Sequence, residues 1–543
     1  MSIQIGRRQF LETSVLAAIA AALPVRAFAR GSRLSTDPSS PIADVAEASS
    51  KDFGGDDYLR PHELIWKKED YLRSRGGLPQ ATETAEVVVI GGGIAGLVAA
   101  YRLRDVDCLL LEGAPQLGGN SRGERFGRAE YSIGAAYLSA PSEEDGTYAL
   151  LKELGILATA REEKGSETFV DLGGRLAHPF WSGVTDPARA PEFEAFFAKM
   201  ISIGENAYPD IPWTEESQVS KEELARLDGM SFATWLSGEF GEVHLHIVEY
   251  CQLYAWSSFA GSIEELSAAQ MLNFLTADLQ GTITWPGGNS AIAQSLYAKL
   301  KGTRTQTGAY AIDIRADETG VTIAYENAAK ELKAVRAKAC IVAAPKYAAQ
   351  RMVAGLSREQ VRAMERIRYR GYIVGNVIIE GDLPLPCYEV FRLKGKAPEA
   401  PTPLKPLPRS FTDICVGTWA AGGATGHGVL TLYKGLPVDG ARHSLFSPNA
   451  HAAHLAEFEA ELAPSLASLG IEPSRVRGIR LTRWGHALPL AAQGLMNEGA
   501  LELASRPVGD RIFFAGQDNF ANPCFESARI SAEDAAERVR AIV

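Results

Sequence analysis

The fold of this chain is decided at residues 87–96, which read VVVIGGGIAG. A short β-branched run is typical of a buried parallel strand, and glycines with G-x-G-x-x-G spacing follow it directly. These glycines are Gly91, Gly93 and Gly96. The pattern predicts a strand, a tight turn and a helix that opens at Ile94 and Ala95. Such a turn lets the backbone approach a pyrophosphate, which the free N–H groups of the helix N-terminus then bind.

The residues after the turn complete a βαβ unit. A second apolar strand is predicted at residues 108–111, and Glu112 follows it, nineteen residues after Gly93. A carboxylate at this place accepts hydrogen bonds from both hydroxyls of a ribose and repels a 2′-phosphate, which argues against NADP. Strand, glycines, helix, second strand and acid together predict a dinucleotide-binding α/β domain.

The N-terminus carries the features of an export signal. Arg7 and Arg8 precede an apolar run at residues 15–23, and small residues at 27–29 form a cleavage site. The apolar run is shorter than the roughly 20 residues that span a bilayer. We therefore predict a twin-arginine signal peptide at residues 1–29, export by the twin-arginine machinery to the periplasm or the medium, and no stable membrane anchor.

Composition narrows the class of protein. The 543 residues include 55 Lys and Arg against 66 Asp and Glu, a net charge of −11, without a dense basic run. This balance argues against nucleic-acid binding. Six cysteines without a C-x-x-C pair argue against iron–sulfur clusters and covalent haem, but leave one or two disulfides open. We expect no metal site, because His451 and His454 lack an evident third ligand.

Several further motifs resemble the flavin-containing amine oxidase superfamily. Gly118 and Gly119 follow Glu112 at the family's spacing. Residues 133–138 (IGAAYL) resemble the segment beneath the flavin ring, and residues 510–518 (DRIFFAGQD) resemble the C-terminal strand and turn. Other landmarks of the family lie at residues 285–288, 339–345 and 526–528. The matches occur in the family's order from residue 86 to the C-terminus.

The resemblance implies FAD as the cofactor and a set of residues that bind it. These residues are Gly91, Gly93, Ile94, Ala95, Gly96, Glu112, Gly118, Gly119, Arg122, Ala135, Ala136, Tyr137, Gly516, Asp518, Ser527 and Ala528. In the family an acid at the place of Asp518 binds the ribityl chain, and the following helix points its N-terminus at the flavin. Arg122 lies two places beyond the family's usual Gly-Gly-Arg, which resembles exported bacterial polyamine dehydrogenases that use an acceptor other than oxygen.

The resemblance also implies a domain organisation. The expected fold is α/β, with a Rossmann-like FAD-binding domain built from discontinuous segments and an inserted α+β substrate domain. The FAD-binding segments are residues 86–150, 281–346 and 476–543, and the substrate domain comprises residues 151–280 and 347–475. Residues 30–85, rich in Ser, Asp, Pro and charge, are interpreted as a linker and N-terminal arm with little core of its own.

The reacting face departs from the family pattern. The family's lysine position falls at Gly375 or Asn376, and one of its cage tyrosines falls at Cys524. The other cage element offers Trp484 as an aromatic wall and His486 as a base, since neutral imidazole accepts a proton near neutral pH. A hydrogen-bonded structural role for His486 stays open. The carboxylates Glu249, Glu264 and Glu265 are candidates for attracting a cationic amine, or are solvated helix positions.

Three functions remain from the sequence. The leading one is an exported FAD-dependent oxidoreductase that transfers hydride from the carbon next to an amine nitrogen to the flavin, giving an imine that hydrolyses. Its electrons would pass to oxygen or to a periplasmic acceptor. The second is a desaturase or oxidase of an apolar non-amine, motivated by the missing lysine and tyrosine. The third is a non-catalytic flavoprotein that binds a partner.

Overall fold

The computed structural model describes residues 37–395, 411–437 and 440–543, so the predicted signal peptide lies outside the described residues. The strands are β1 Ile42–Val45, β2 Gly54–Gly55, β3 Glu83–Thr84, β4 Val87–Ile90, β5 Cys108–Glu112, β6 Gly123–Phe126, β7 Ala129–Ser132, β8 Leu138–Ser139, β9 Arg161–Glu163, β10 Phe169–Leu172, β11 Leu176–Ala177, β12 Thr282–Thr284, β13 Arg304–Thr307, β14 Tyr310–Asp317, β15 Gly320–Glu326, β16 Leu332–Ala337, β17 Ala339–Val342, β18 Tyr369–Glu380, β19 Glu389–Leu393, β20 Asp413–Val416, β21 His427–Gly435, β22 Val476–Pro489 and β23 Ile512–Phe514. The α-helices are α1 Leu59–Pro61, α2 Lys68–Ser74, α3 Ile94–Arg102, α4 Gly146–Leu154, α5 Ala190–Asn206, α6 Lys221–Asp228, α7 Phe232–Phe240, α8 Leu245–Phe259, α9 Ala268–Gln280, α10 Ser290–Lys299, α11 Lys346–Met352, α12 Arg358–Arg366, α13 Ala450–Ser468, α14 Ala500–Ala504 and α15 Phe525–Arg540.

A five-stranded parallel sheet, in the order β13-β5-β4-β17-β23, joins segments that are far apart in the chain. Val87 and Val89 pack on helices α3, α10 and α15, whereas Val88 and Ile90 pack on the antiparallel strands β14, β15 and β16. Because both faces are covered, β4 reads as an unbroken apolar run instead of an alternating one. The Rossmann-like α/β domain of discontinuous segments is thus confirmed.

A second sheet of eight strands has the order β11-β10-β19-β20-β21-β18-β22-β2. Helix α13 packs on one face through Phe458 and Leu462, and helices α5 to α9 pack around Phe391 of β19. Strand β22, which the sequence grouped with the FAD-binding segment 476–543, pairs along β18. Residues 476–489 therefore belong to this second sheet, and the five-stranded sheet resumes at β23.

The N-terminal arm has no sheet of its own in the described residues from 37 onward. Its three strands β1, β2 and β3 each form the edge of a sheet made by later residues, pairing with β6, β22 and β16. Leu64 and Ile65 are buried in the core beneath β14 to β16. The arm is therefore held by the rest of the protein, and Gly55 and Asp56 are carried towards the predicted cofactor site.

Two further observations concern the cysteines and the lengths of the apolar helices. All six cysteines are free thiols, so neither of the disulfides left open by the sequence is formed. No described helix is both long and apolar enough to cross a bilayer.

Candidate functional site

In the glycine-rich turn, two glycines are required by the packing of the protein itself, and a third leaves space for a cofactor. Gly91 has φ +104°, and a Cβ there would lie 2.5 Å from the carbonyl oxygen of Ala343. A Cβ on Gly96 would lie 1.7 Å from the carbonyl oxygen of Gly91. A Cβ on Gly93 would instead meet nothing closer than Gly119 Cα at 3.7 Å. Gly93 thus leaves open the space through which a pyrophosphate must approach, so the turn fits the cofactor.

The carboxylate of Glu112 stands at the end of β5, beside this turn. It accepts hydrogen bonds from the backbone N–H groups of Gly92 at 2.5 Å and Ala114 at 2.6 Å. Burial raises its pKa, and these two N–H groups oppose the rise. A carboxylate offers about four acceptor positions, so two remain for the hydroxyls of a ribose. The residue present fits the adenosine ribose of FAD.

Arg122 supplies a buried positive charge next to the same turn. Its side chain donates to the carbonyl oxygens of Gly119 and Gly55 at 3.1 and 3.2 Å, and its guanidinium lies 4.8 Å from the ring centre of Trp484. Burial lowers its pKa, although Asp56 and Glu112 act in the opposite direction. Among the described residues no carboxylate lies within 4.0 Å of this guanidinium. An unpaired buried cation beside Gly93 fits a diphosphate.

Residues 132–137, the segment expected beneath the flavin ring, are held by side chains along their whole length. Six consecutive carbonyl oxygens each accept a side-chain hydrogen bond of 2.7 to 3.2 Å. In order along the segment, the donors are Asn376, Trp484, Tyr433, Ser132, Thr284 with Tyr388, and Asn289. Ala135, Ala136 and Tyr137 therefore present a backbone whose carbonyls are already satisfied. A ring can lie against them without competing for those oxygens.

Trp484, which the sequence suggested as an aromatic wall, contacts this segment directly. Trp484 is buried and donates from Nε1 to the carbonyl of Ile133 at 2.8 Å, so it positions the segment.

Gly375 faces α13, because a Cβ there would lie 2.7 Å from Phe458. Asn376 faces the segment and bonds to Ser132 and Thr431. Of the two positions left open for the family's lysine, Asn376 is the one that contacts the segment expected beneath the flavin.

The C-terminal turn contains an acid that is already engaged by protein groups. Asp518 accepts hydrogen bonds from the backbone N–H of Lys346 at 2.8 Å, from Lys346 Nζ at 3.0 Å and from the Tyr369 hydroxyl at 2.5 Å. Gln517, one residue earlier, donates to the carbonyl of Ala487 at 3.3 Å. Contact of Asp518 with the ribityl chain stays a prediction, and the observed role of the carboxylate is to neutralise buried Lys346.

Helix α15 begins directly after this turn. Cys524 is its N-cap, and its sulfur accepts a hydrogen bond from the backbone N–H of Ser527 at 3.3 Å. Gly516 is tied to the same helix, because its N–H donates to Ser531 Oγ at 2.9 Å. Ser527 and Ala528 are buried in the first turn. Their predicted contact with the flavin remains to be measured.

His486 lies away from the substrate-domain cavity described below. Its ring stacks on Tyr347 with the centres 4.0 Å apart, and it is not among the residues that line the cavity. Burial lowers the pKa of His486 to about 3, and the charges of Arg442 and His62 add to that effect. The imidazole is therefore neutral but weakly basic near pH 7. A catalytic role for His486 stays a prediction, and the geometry favours the stacked structural one.

A small, partly open cavity of about 30 Å³ lies between helices α8 and α9 and strands β9, β12 and β19. The lining residues are Glu163, Lys164, Gly165, Thr168, Phe169, Tyr250, Tyr254, Asp278, Leu279, Thr282, Glu389 and Phe391. Asp278 accepts hydrogen bonds from Tyr254 at 2.6 Å and Ser139 at 2.5 Å, and the Tyr137 hydroxyl also stabilises its charged form. The cavity wall is thereby connected to the segment expected beneath the flavin.

The pKa values of the three carboxyl groups that line this cavity, and of Asp413 next to Glu389, are strongly raised. Burial raises the pKa of Glu163 to about 7 and that of Asp278 to about 6. Burial raises the pKa of Glu389 well above its ordinary value, with a further rise from Asp413. Burial raises the pKa of Asp413 itself to about 6. In the described part of the chain, no basic nitrogen lies within 4.0 Å of any of these four carboxyls.

Sequence reasoning missed these four acids, because they come from four separate segments and share no spacing. The acids that it did select have structural partners. Glu265 pairs with Arg370 at 2.7 Å, and Glu249 accepts the backbone N–H groups of Lys394 and Gly395. The alternating pattern of β19 and β20 is the one signal available, since it places acids at inward positions of apolar strands.

The remaining metal candidates also have defined places. His454 on α13 contacts Glu457 at 3.1 Å and Ser444 at 3.2 Å, and His451 lies 3.4 Å from Ser50. Elsewhere, ligand atoms of Glu389, Asp413 and Cys415 lie within 4.8 Å of one another. The expectation that the protein binds no metal remains untested.

The chain matches known proteins over most of its length. The family profile described as flavin containing amine oxidoreductase matches residues 94–540. Oxidoreductase PigB of Serratia sp. (strain ATCC 39006) is 27% identical over 513 residues, which cover 84% of this chain and 75% of PigB. The human peroxisomal N(1)-acetyl-spermine/spermidine oxidase is 28% identical over 186 residues, 29% of this chain and 36% of that protein.

Two solved structures share the fold. Wild-type putrescine oxidase bound to putrescine superposes with a TM-score of 0.57 at 18% identity, covering 84% of this chain and 99% of the oxidase. Cyclohexylamine oxidase from Brevibacterium oxydans IH-35A superposes with a TM-score of 0.58 at 17% identity and the same coverage. At these identities the likeness shows the fold alone.

Proposed function

Because this chain belongs to the flavin-containing amine oxidoreductase family, whose cofactor is FAD, we propose that it oxidises an amine bound in the cavity of Asp278 and Glu389. The observation that carries the proposal is the set of carboxyl groups that line that cavity, of which Asp278, with a pKa of about 6, is ionised near pH 7. Its carboxyls lack basic partners in the described residues, and Tyr137 connects Asp278 to the flavin-facing segment. An amine that enters as a cation meets opposite charge there.

Each part of the site has a role in this reaction. FAD, when bound, would supply the two-electron acceptor for the hydride on the carbon next to the amine nitrogen, and a proton would pass from the nitrogen to solvent as the C=N bond forms. The buried donors Asn376, Tyr433 and Trp484 keep residues 132–137 rigid. The aromatic rings of Tyr250, Tyr254 and Phe391 limit water around the bound amine. Water then hydrolyses the imine, and oxygen or a periplasmic acceptor takes the two electrons.

Export belongs to the same proposal. The twin-arginine signal at residues 1–29 supports transport of a folded, FAD-loaded enzyme to the periplasm or the medium. Cutting after Ala29 leaves 514 residues. Mass spectrometry of the protein from the periplasmic fraction tests this directly, since an intact Met1 on all molecules would contradict export with cleavage.

The cavity also separates the amine hypothesis from its rivals. A desaturase of an apolar substrate calls for an apolar pocket, whereas the three carboxyls that line this cavity would leave a hydrocarbon facing groups that it cannot satisfy. A partner-binding flavoprotein does not require such a cavity. We therefore place amine oxidation first.

The test is anaerobic mixing of the FAD-loaded protein with a panel of amines while the flavin absorbance is followed. We expect bleaching by at least one amine and none by apolar alkenes or alcohols. Bleaching by another substrate class alone would overturn the amine assignment.

A further inference from the structure

We propose that the N-terminal arm is part of the FAD-binding site. Residues 54–56 of the arm hold the guanidinium of Arg122 beside the glycine-rich turn and cover the adenosine and diphosphate half of the cofactor. Docking of this segment and binding of FAD therefore stabilise each other. Because FAD is the cofactor of the family, this coupling is independent of the substrate that is oxidised.

The first observation is a hydrogen bond between the arm and Arg122. The guanidinium donates to the carbonyl oxygen of Gly55 on β2 at 3.2 Å and to that of Gly119, which lies against Gly93, at 3.1 Å. Arg122 is 6% exposed, so two carbonyls from distant segments fix the plane of a buried guanidinium. A guanidinium has five N–H donors, and the described residues accept from two of them. The others suit a diphosphate, which guanidinium groups bind in bidentate fashion.

The second observation is the charge that the arm brings to this site. Asp56 follows Gly55, and its charge, like that of Glu112, acts on the buried guanidinium of Arg122. Burial raises the pKa of Asp56, and Arg122 opposes that rise. Burial also raises the pKa of Glu112, and the charge of Asp56 adds to the rise. The arm is therefore within electrostatic reach of the two side chains that fit the ribose and the diphosphate of FAD.

The third observation is that this part of the arm lies on β22 at a distance that requires glycine. Strand β2 pairs in parallel with β22, and Gly55 lies opposite Arg483. Gly55 has φ +92°, and a Cβ there would lie 2.3 Å from the carbonyl oxygen of Arg483. Asp56 adds two hydrogen bonds to the same strand, because its N–H donates to the Arg483 carbonyl at 3.1 Å and its Oδ2 accepts from the N–H of Gly485 at 2.9 Å. The contact of Gly55 with β22 therefore sets how closely the Gly55 carbonyl approaches Arg122.

The arm has separate anchors outside this segment. Leu64 and Ile65 are buried in the core beneath β14 to β16, and Arg60 forms an ion pair with Glu326. These contacts lie beyond residues 54–56 in the chain and do not involve β22. A local change at Gly55 should therefore displace the cofactor side of the arm while the rest of the arm stays attached.

The experiment compares Gly55→Ala with Gly54→Ala, its matched control one residue earlier. A Cβ on Gly54 would meet nothing closer than Thr482 Oγ1 at 3.5 Å, an ordinary contact, so this variant should bind FAD within about twofold of the wild type. Gly55→Ala should weaken FAD binding about tenfold or more, because Arg122 loses a hydrogen bond made by a charged donor. Fluorescence titration of the FAD-free proteins measures both affinities, and their melting temperatures show whether each variant folds.

ADP and riboflavin show which half of the cofactor the arm serves. ADP carries the adenosine and the diphosphate, so Gly55→Ala should weaken ADP binding by about the same factor as FAD binding. Hydrogen exchange of the wild type supplies a second measurement. FAD or ADP should slow exchange at the amides of residues 54–58, whereas riboflavin, which lacks the diphosphate, should leave it unchanged. An arm with a merely structural role would exchange at the same rate with and without ADP.

A double-variant cycle tests whether the arm acts through Arg122. Arg122→Lys keeps the positive charge but loses the planar fork that bridges the carbonyls of Gly119 and Gly55. We expect Gly55→Ala combined with Arg122→Lys to bind FAD within about threefold of Arg122→Lys alone, because the two changes remove the same contact.

Wild-type FAD affinity in Gly55→Ala, whatever its exchange rate at residues 54–58, would overturn the proposal. So would FAD losses that multiply in the double variant, or an ADP affinity that Gly55→Ala leaves unchanged while FAD is weakened. Exchange at residues 54–58 of the wild type that FAD and ADP both leave unchanged would overturn it even if Gly55→Ala did not fold. None of these measurements uses turnover, so their outcome is separate from that of amine oxidation.

Discussion

The glycine-rich turn and the carboxylate cavity are two opposite ways to build a binding site. The turn is nearly contiguous in sequence, from Gly91 to Arg122, and offers N–H groups and one positive charge. The cavity gathers acids from β9, α9 and β19, and no basic side chain of the described residues pairs with them. The turn suits an anionic cofactor through its backbone shape, which requires glycines at fixed positions in the sequence. The proposed amine site depends on side chains that only the fold brings together.

The largest effect is expected within the turn, from Gly96→Ala. The new Cβ would overlap the carbonyl oxygen of Gly91 at 1.7 Å, and backbone atoms of a strand–turn–helix unit cannot move aside easily. We expect the free energy of unfolding to fall by about 3 kcal/mol, with loss of FAD. Denaturant unfolding measures this. A variant as stable as the wild type would show that the turn is more adaptable than its geometry indicates.

Gly93→Ala is the matched change that distinguishes an effect on folding from an effect on FAD binding. Its Cβ contacts no atom closer than 3.7 Å, so the free energy of unfolding of the FAD-free protein should stay within about 0.5 kcal/mol. FAD affinity should fall more than about tenfold, since the methyl group occupies the path of the pyrophosphate. Fluorescence titration with FAD measures it. Unchanged affinity would place the pyrophosphate elsewhere.

The carboxyl groups in and next to the cavity should make the free energy of unfolding depend on pH. Asp278 and Asp413 have pKa values of about 6 in the folded protein against an ordinary 3.8, so the folded state binds more protons between about pH 4 and pH 6. Glu163, at about 7 against 4.5, extends this window to about pH 7. The stability that these groups contribute is present at low pH and is lost as pH rises through these values.

A bound cationic amine should restore that stability. We expect an amine that bleaches the flavin to raise the melting temperature by a few degrees more at pH 8 than at pH 5, because more cavity carboxyls are charged at the higher pH. Calorimetric scans of the FAD-loaded protein measure this, with sodium chloride at equal ionic strength as the control. An equal shift at both pH values would contradict charge recognition in the cavity.

The smallest effect is expected where the two regions meet. Tyr433→Phe removes the donor to the carbonyl of Gly134 and should lower the free energy of unfolding by about 1 kcal/mol. The flavin absorbance maximum should shift, since the segment beneath the ring is less firmly held. Tyr297→Phe, which loses only an exposed contact with Asp37, is the control. No spectral change in Tyr433→Phe would mean that the segment does not touch the flavin.

The same comparison explains how far sequence could predict this protein. Strand β4, helix α3 and Glu112 were predictable because a turn that binds a pyrophosphate needs glycines at set spacings. The pairing of strand β22 with β18 could not be predicted from the sequence, because β18 lies about a hundred residues earlier and strand pairing has no local sequence signal. The ion pair between Asp518 and Lys346 could not be predicted either, because the two residues are far apart in the sequence. Glu389 and Asp413 became a pair only through the register of β19 and β20.

The most direct test is a crystal structure of the FAD-loaded protein, reduced after crystal growth and soaked with an amine that bleaches the flavin in solution. The proposals predict the diphosphate of FAD at Gly93 and Arg122, and the ring against Ala135 and Ala136. They also predict the amine nitrogen within hydrogen-bond distance of Asp278. An amine bound outside the cavity, or a cavity that stays closed to it while FAD is in place, would contradict them.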